Sequence, residues 1–387
     1  MKVLRVITSM NPKAGGPCQG IRNSVPALRN CGIETEVVCF DDPSTEYKDS
    51  FTINSIGPAK KPYLYCKRLA PWLNKNMLRF DVVIIHGLWM YNSYGTYRVW
   101  EKLKRKISKV PRLYIMPHGM LDPYFQKAKE RKLKAVRNLF FWHLIESKVV
   151  NGVDGVLFTC EQELLLARTT FSHYLPKREI NIGYGVIEPP IKKMEMKGAL
   201  ISHIPEWNEK PFWLFMSRIH SKKGVDLLIN SYLKLERVKG GLPQLIIAGP
   251  ALDADYGREM EELASPSKNI IFPGMLTKNA KWAAFYEAEA FILPSHQENF
   301  GIAVVEALAC GTPVLISDKI NIYREVIDSG AGLLFSDTQD SCDQILDEWN
   351  NFKDIKKEQY GLRAFECYKK YYDIYEVAKK FKTKIHD

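Results

Sequence analysis

Two carboxylates, Glu298 and Glu306, stand eight positions apart in HQENFGIAVVEALACG, residues 296 to 311. Glu306 falls inside an almost unbroken apolar run, where an isolated carboxylate is costly unless it is hydrogen-bonded. The stretch from Phe300 reads as a helix closed by Gly311, with Pro313 just beyond. Such a helix presents the amides of Asn299, Phe300, Gly301 and Ile302 at its start, free to donate to a ligand. It sets Glu306 roughly 6 to 7 Å further along the axis. A ribose diol would offer that carboxylate two donors, and a cation from within the protein would satisfy it equally.

Three other stretches carry residue types suited to chemistry. SRIHSKKGVDLLINSYLKL places Arg218 and Lys223 around a short loop before an amphipathic pattern. Arginine can bind two oxygens at once and lysine adds a point charge, so a diphosphate fits there; surface charge is the alternative, and Lys222 is expected to be the solvated neighbour. KAGGPCQGIRNSV follows the first apolar run with Gly15, Gly16 and Gly20. The spacing is not GxGxxG, and Ile21 and Arg22 stand where a Walker loop needs Lys and Ser or Thr. A tight turn and a loop shaped around a phosphate or sugar both remain. The DAD at 253 to 255 has the form of a metal-binding DxD, but nothing adjacent adds ligands and a solvated turn is the reading adopted.

These residues need elements to hold them. Short apolar or β-branched runs alternate with helical patterns, which predicts parallel sheets with helices on both faces. The strand candidates are 3–8, 35–40, 82–86, 112–116 and 155–159, then 212–217, 244–248, 269–272, 290–294 and 313–317. His86 and the PHG of His118 each close one of these runs. At 387 residues the chain suits two domains. The boundaries predicted are 1–190, a Pro- and charge-rich linker at 191–210, a second domain at 211–360, and a helical segment at 361–387 that could cross back to the first. Ligands in doubly wound sheets sit beyond the carboxyl ends of the strands, so a central cleft faced by both domains is the expected site.

Composition bounds the setting. Eight cysteines form no CxxC pair and read as reduced thiols. Arg5 interrupts the first apolar run and no cleavage site follows, so the segment reads as a buried strand rather than a signal peptide. No run approaches the length of a membrane span, and a cytoplasmic protein is expected. Residues 1–190 hold 29 Lys and Arg against 16 Asp and Glu, and the remainder 26 against 28. The excess lies largely in EKLKRKISKVPR and FQKAKERKLKAVRNLFFW, where Phe140, Phe141 and Trp142 follow the basic residues. An anionic membrane surface, nucleic acid and plain solvation are the three readings.

Together the Arg218 and Lys223 loop, the Glu298 to Glu306 pair and the glycine loop resemble the retaining nucleotide-sugar glycosyltransferases of family four (group 1), which have the GT-B fold of two Rossmann-like domains. The likeness extends over nearly the whole chain, through AGP at 248–250, FPGML at 272–276 and GTPV at 311–314. It implies that Arg218 and Lys223 hold the donor diphosphate, Glu306 the ribose hydroxyls and Glu298 the hydroxyls of the transferred sugar. The amides of Asn299 to Ile302 would contact sugar or phosphate, Gly15 and Gly16 would approach the phosphates, and His118 would lie against the donor sugar near the reaction centre. His86 is assigned to the acceptor side. By the same resemblance the two glutamates bind rather than serve as acid and nucleophile, and transfer needs neither metal nor cofactor. The partners implied are a nucleotide-diphosphate sugar, with UDP-glucose preferred, and a glycan or lipid-linked acceptor of polysaccharide biosynthesis; an anionic membrane surface is expected and nucleic acid is not. A sugar-nucleotide epimerase on the same fold is the alternative. A basic nucleic-acid binder is a third reading, and it leaves the Arg218, Lys223 and glutamate constellation unexplained.

Overall fold

The computed structural model describes residues 1–127, 131–250 and 254–386. Seven strands of the first half are β1 (Lys2–Val6), β2 (Glu34–Cys39), β3 (Thr52–Ser55), β4 (Val82–His86), β5 (Arg112–Met116), β6 (Gly155–Phe158) and β7 (Glu179–Asn181). They form one parallel sheet in the order β3-β2-β1-β4-β5-β6-β7. The second half supplies β8 (Phe212–Met216), β9 (Leu245–Ala248), β10 (Ile270–Gly274), β11 (Ala288–Leu293), β12 (Val314–Ser317) and β13 (Gly332–Phe335). These are also all parallel, in the order β10-β9-β8-β11-β12-β13. Both sheets are Rossmann-like. Their strand order reverses once, between β1 and β4 and between β8 and β11, and such a reversal opens a crevice at the carboxyl ends of the strands.

Central strands are buried along most of their length, as in VVIIH of β4 and LIIA of β9, because helices cover both faces. The apolar runs read from the sequence become ten of these strands. The others, β3, β7 and β13, are each at a sheet edge and half-exposed, so they lack a continuous apolar run.

The chain divides into two units, one of Met1–Gly185 with Ile374–Asp387 and one of Val186–Asp373. The segment 191–210 is not a free linker. It carries the helix Met194–His203, in which Met196 and Leu200 are buried, and continues through buried Ile204 and Trp207. The Trp207 ring meets Phe212 edge-on at 5.5 Å. Apolar residues at 196, 200 and 204 carry a helical spacing that the surrounding prolines and charges obscured. The segment 361–387 is split: the helix Asp354–Tyr371 belongs to the second unit, and Ile374–His386 to the first. There Ile374, Ala378, Phe381 and Ile385 complete an apolar cluster with Val3, Ile84 and Tyr114.

In the second unit the loops after β8 and β11 are locked together. The Lys222 carbonyl accepts from the His296 amide at 2.9 Å and from Ser295 Oγ at 3.1 Å. Gly224 has φ +65°, and a Cβ there would lie 2.1 Å from the Pro294 carbonyl oxygen. Gly224→Ala therefore combines a left-handed backbone with a clash. It is expected to lower the unfolding free energy by about 2 kcal/mol or more, read from the urea midpoint; an unchanged midpoint would contradict this packing.

Candidate functional site

The second unit builds its site at the reversal between β8 and β11. Phe212 to Phe215 are fully buried, so β8 ends rigidly at the surface and feeds the turn Ser217–Gly224. Arg218 is exposed there and has no hydrogen bond or ion pair among the described residues. Lys223 is enclosed instead: only 4% of it is exposed, and its Nζ meets Glu298 Oε2 in a short ion pair. Glu298 is fixed by its backbone as well, since its amide donates to the Lys319 carbonyl at 2.9 Å and its carbonyl accepts from the Asn321 amide at 3.0 Å. Loops after β8, β11 and β12 thus converge on one residue, the first through its carboxylate and the last through its backbone. Lys222 is partly exposed, as its neighbour's burial requires.

Gly301, with φ +77°, caps the helix Ile302–Ala309, and a Cβ on it would lie 3.5 Å from Glu298 Cγ. The carboxylate therefore stands beside a helix start whose first-turn amides lack intrahelical acceptors and carry partial positive charge. Asn299 accepts from Asn321 Nδ2 at 3.5 Å, and the Phe300 ring is buried edge-on against Tyr372 at 5.7 Å. Phe300 is thus a core residue that orients the loop. Glu306 lies within the helix, and the partner it finds is Lys281, at 2.6 Å from the helix Lys278–Glu287. Burial pushes the Glu306 carboxyl above its usual range while Lys281 opposes the shift. One ammonium does not exhaust a carboxylate, which has about four lone-pair sites.

In the first unit, Gly15 (φ +100°) and Gly16 open the helix Gly16–Asn30, both exposed and with no atom near a hypothetical Cβ. The backbone there is free to approach a ligand. His86 and His118 end up side by side, with His86 Nδ1 2.8 Å from His118 Nε2. His86 is 4% exposed and its Nε2 is 3.3 Å from Arg5 Nη1, so the residue assigned to the acceptor side is enclosed by protein. Burial, then the neighbouring Arg5, lowers the His118 pKa to about 3. His118 also holds a left-handed backbone, φ +53°. Its strained turn is pinned by Glu163, whose Oε1 accepts from the Gly119 amide at 2.6 Å and whose Oε2 accepts from the Thr159 amide at 2.8 Å.

Sequence reasoning missed Arg5, Glu146, Glu163 and Lys281 as members of these clusters. Only Arg5 and Glu146 carried a local signal, as charges set among apolar residues. Of the aromatics at 140 to 142, Trp142 is a core residue stacked on Phe171 at 4.7 Å, and Phe140 faces solvent. Asp253 of the DAD lies outside the described residues.

Residues 200–360 match the family model described as glycosyl transferases group 1. The chain is 27% identical to an uncharacterized glycosyltransferase of Methanocaldococcus jannaschii, over 98% of each chain. It is 25% identical to an alpha-monoglucosyldiacylglycerol synthase of Streptococcus pneumoniae, over 75% of this chain and 67% of that one. Among solved structures it resembles Anabaena HepE in complex with UDP and glucose, with a TM-score of 0.72 and 15% identity, covering 100% of this chain and 99% of that one.

Glu146 gives the first unit a pH signature. It is fully buried, takes the Trp89 amide at 2.9 Å and the Ser93 hydroxyl at 2.6 Å, and burial raises its pKa from 4.5 to about 7. Between those values the folded chain holds a proton that the unfolded chain has lost, so this group's contribution to stability falls as pH rises through that window. Relative to Glu146→Gln, the native chain should lose on the order of 3 kcal/mol between pH 4.5 and 8. Urea unfolding of both proteins across that range reads the difference, and a constant gap would refute it.

Proposed function

We propose that the chain, whose residues 200–360 match the group 1 glycosyl transferase model and which has the GT-B fold, is a member of that family and transfers a hexose from a nucleotide-diphosphate sugar, with retention and without a metal, to a glycan or lipid-linked acceptor. The observation that carries this reading is the constellation at the β8–β11 reversal: an exposed Arg218 with no partner among the described residues, a buried Lys223–Glu298 pair, and a helix start with Glu306 about 6 Å further along its axis. Arg218 and the first-turn amides supply donors for a diphosphate. Glu306, paired with Lys281, has lone pairs left for a ribose diol. Glu298 accepts from hydroxyls of the transferred sugar, while Lys223 holds it in place.

In the proposed reaction the acceptor hydroxyl attacks on the face that the diphosphate leaves, and a donor phosphate oxygen takes its proton. Arg218 and the helix amides stabilise the charge that builds on the departing diphosphate, the electrostatic term that usually dominates such catalysis, while Lys223 acts through Glu298. The first unit contributes Gly15, Gly16 and His118. UDP-glucose is the donor proposed; the UDP and glucose bound to the HepE structure support it.

A membrane surface is proposed as the setting. On the helix Lys132–Phe141, Leu133 is 88% exposed, Val136 55% and Phe140 64%, and Leu144 beyond it is 65% exposed. Exposed Lys132, Lys134 and Arg137 flank these apolar side chains, the combination that seats a helix in an anionic interface. The similarity to a glycolipid synthase agrees with that setting. No helix among the described residues is long and apolar enough to cross a membrane.

Three experiments test these readings. UDP binding followed by calorimetry should weaken by about 2 kcal/mol or more in Glu306→Ala, and turnover of UDP-glucose should persist in EDTA; equal affinity would remove the ribose role, and loss in EDTA the metal-free one. Co-sedimentation with phosphatidylglycerol vesicles at low salt should fall by roughly tenfold in the double variant Leu133→Glu, Phe140→Glu. Binding that is absent in the native chain, or undiminished in the variant, would rule the surface out.

A further inference from the structure

We propose that Arg5 and His86 are positioning residues that fix His118 in a single tautomer, with its hydrogen on Nδ1, so that His118 meets its ligand as a hydrogen-bond donor and not as a base. The proposal rests on the reading above only for the role of His118 toward the transferred sugar.

The three side chains come from adjacent strand ends. Arg5 is in β1, paired in register with Ile84 of β4; His86 closes β4 opposite Met116 of β5, and His118 follows two residues later. Arg5 is 5% exposed, and a guanidinium can only donate. Its Nη1, 3.3 Å from His86 Nε2, makes that nitrogen an acceptor. A neutral imidazole carries one N–H, so the hydrogen of His86 is on Nδ1. At 2.8 Å, Nδ1 donates to His118 Nε2, which leaves the hydrogen of His118 on Nδ1. The hydrogen bond at one ring nitrogen sets the state of the other, and here the direction is imposed from Arg5 outward.

Both rings stay neutral. Burial, then His118 and Arg5, holds His86 well below its ordinary pKa, and burial brings His118 to about 3. The cavity of about 50 Å³ that they share with Arg5 and Tyr184 has no carboxylate among its described lining residues, so nothing there draws a second proton onto either ring. The rings are nearly parallel, 22° apart, and Glu163 pins the backbone turn behind His118. His118 is thus oriented from two sides, with Nδ1 unpartnered among the described residues.

The test is tautomer-sensitive 15N–1H correlation on the histidine-labelled full chain, with the His118 signals assigned by their loss in His118→Asn. The native protein should show hydrogen on Nδ1 of His118 from pH 5 to 8. Arg5→Met frees His86 to reverse, and should move the His118 hydrogen to Nε2. His86→Gln keeps the polarity, its amide oxygen accepting from Arg5 and its amide nitrogen donating to His118, whereas His86→Leu does not. With UDP-glucose hydrolysis as the kinetic probe, Arg5→Met and His86→Leu should lower kcat by about 10- to 100-fold, with KM moved less, and His86→Gln should recover most of the loss. Hydrogen on Nε2 in the native protein, or a tautomer unchanged in both Arg5→Met and His86→Leu, would overturn the proposal. Should Arg5→Met fail to fold, the native spectrum and His86→Leu decide. The spectra need no substrate, so failure of UDP-glucose as a donor counts against the transferase reading and leaves this one to the spectra.

Discussion

An ammonium group almost sealed from water, held against the carboxylate of Glu298, is the contact that organises the second unit's site. Taking Lys223 out of solvent costs energy that only a well-placed anion returns. Glu298 is well placed because its own backbone is bonded on both sides to the loop after β12. The pair therefore joins three loops that leave neighbouring strands, and each is rigid because the strand behind it is buried. Arg218, a few residues away, faces solvent and takes no part in this frame.

The first unit uses buried carboxylates differently. Glu146 accepts the Trp89 amide and the Ser93 hydroxyl, and Glu163 the amides of Gly119 and Thr159 and the Thr159 hydroxyl. An amide loses little by facing a carboxylate and cannot be titrated away, whereas the carboxylate must either remain ionised at a cost or take up a proton. Both loops so held contain a residue with positive φ, Trp89 and His118. Strain of this kind persists where surrounding bonds over-determine the conformation.

Central strands were legible because burial on both faces writes a continuous apolar run. Edge strands were not, since half-exposed TINS and EIN look like loop. The glycine, lysine and glutamate positions of the candidate site stand out in the sequence by type and spacing, whereas their partners in the fold do not. Lys281 lies 25 residues before Glu306 on a helix of its own, and Glu163 is 44 residues beyond the glycine it holds. Only the fold brings such pairs together. Arg5 was visible as a charge in an apolar strand, but its meaning waited on two histidines that sequence separation kept out of view. Likewise Phe140, Phe141 and Trp142 read as one aromatic group, and helical geometry sends the first to solvent and the last into the core.

The helix Ile374–His386 carries a consequence for how the chain is made. Its Ile374, Phe381 and Ile385 fill a cluster whose other walls come from the helix Gly16–Asn30 and from β1, β4, β5, β6 and β7. On the ribosome those walls emerge early, then wait while all of Val186–Asp373 is synthesised. The second unit is continuous and can finish folding first, so completion runs opposite to the usual amino-to-carboxyl order. Until then the first unit has an open apolar seam beside the histidines, whose lining Ile374, Ala378 and Phe381 complete last.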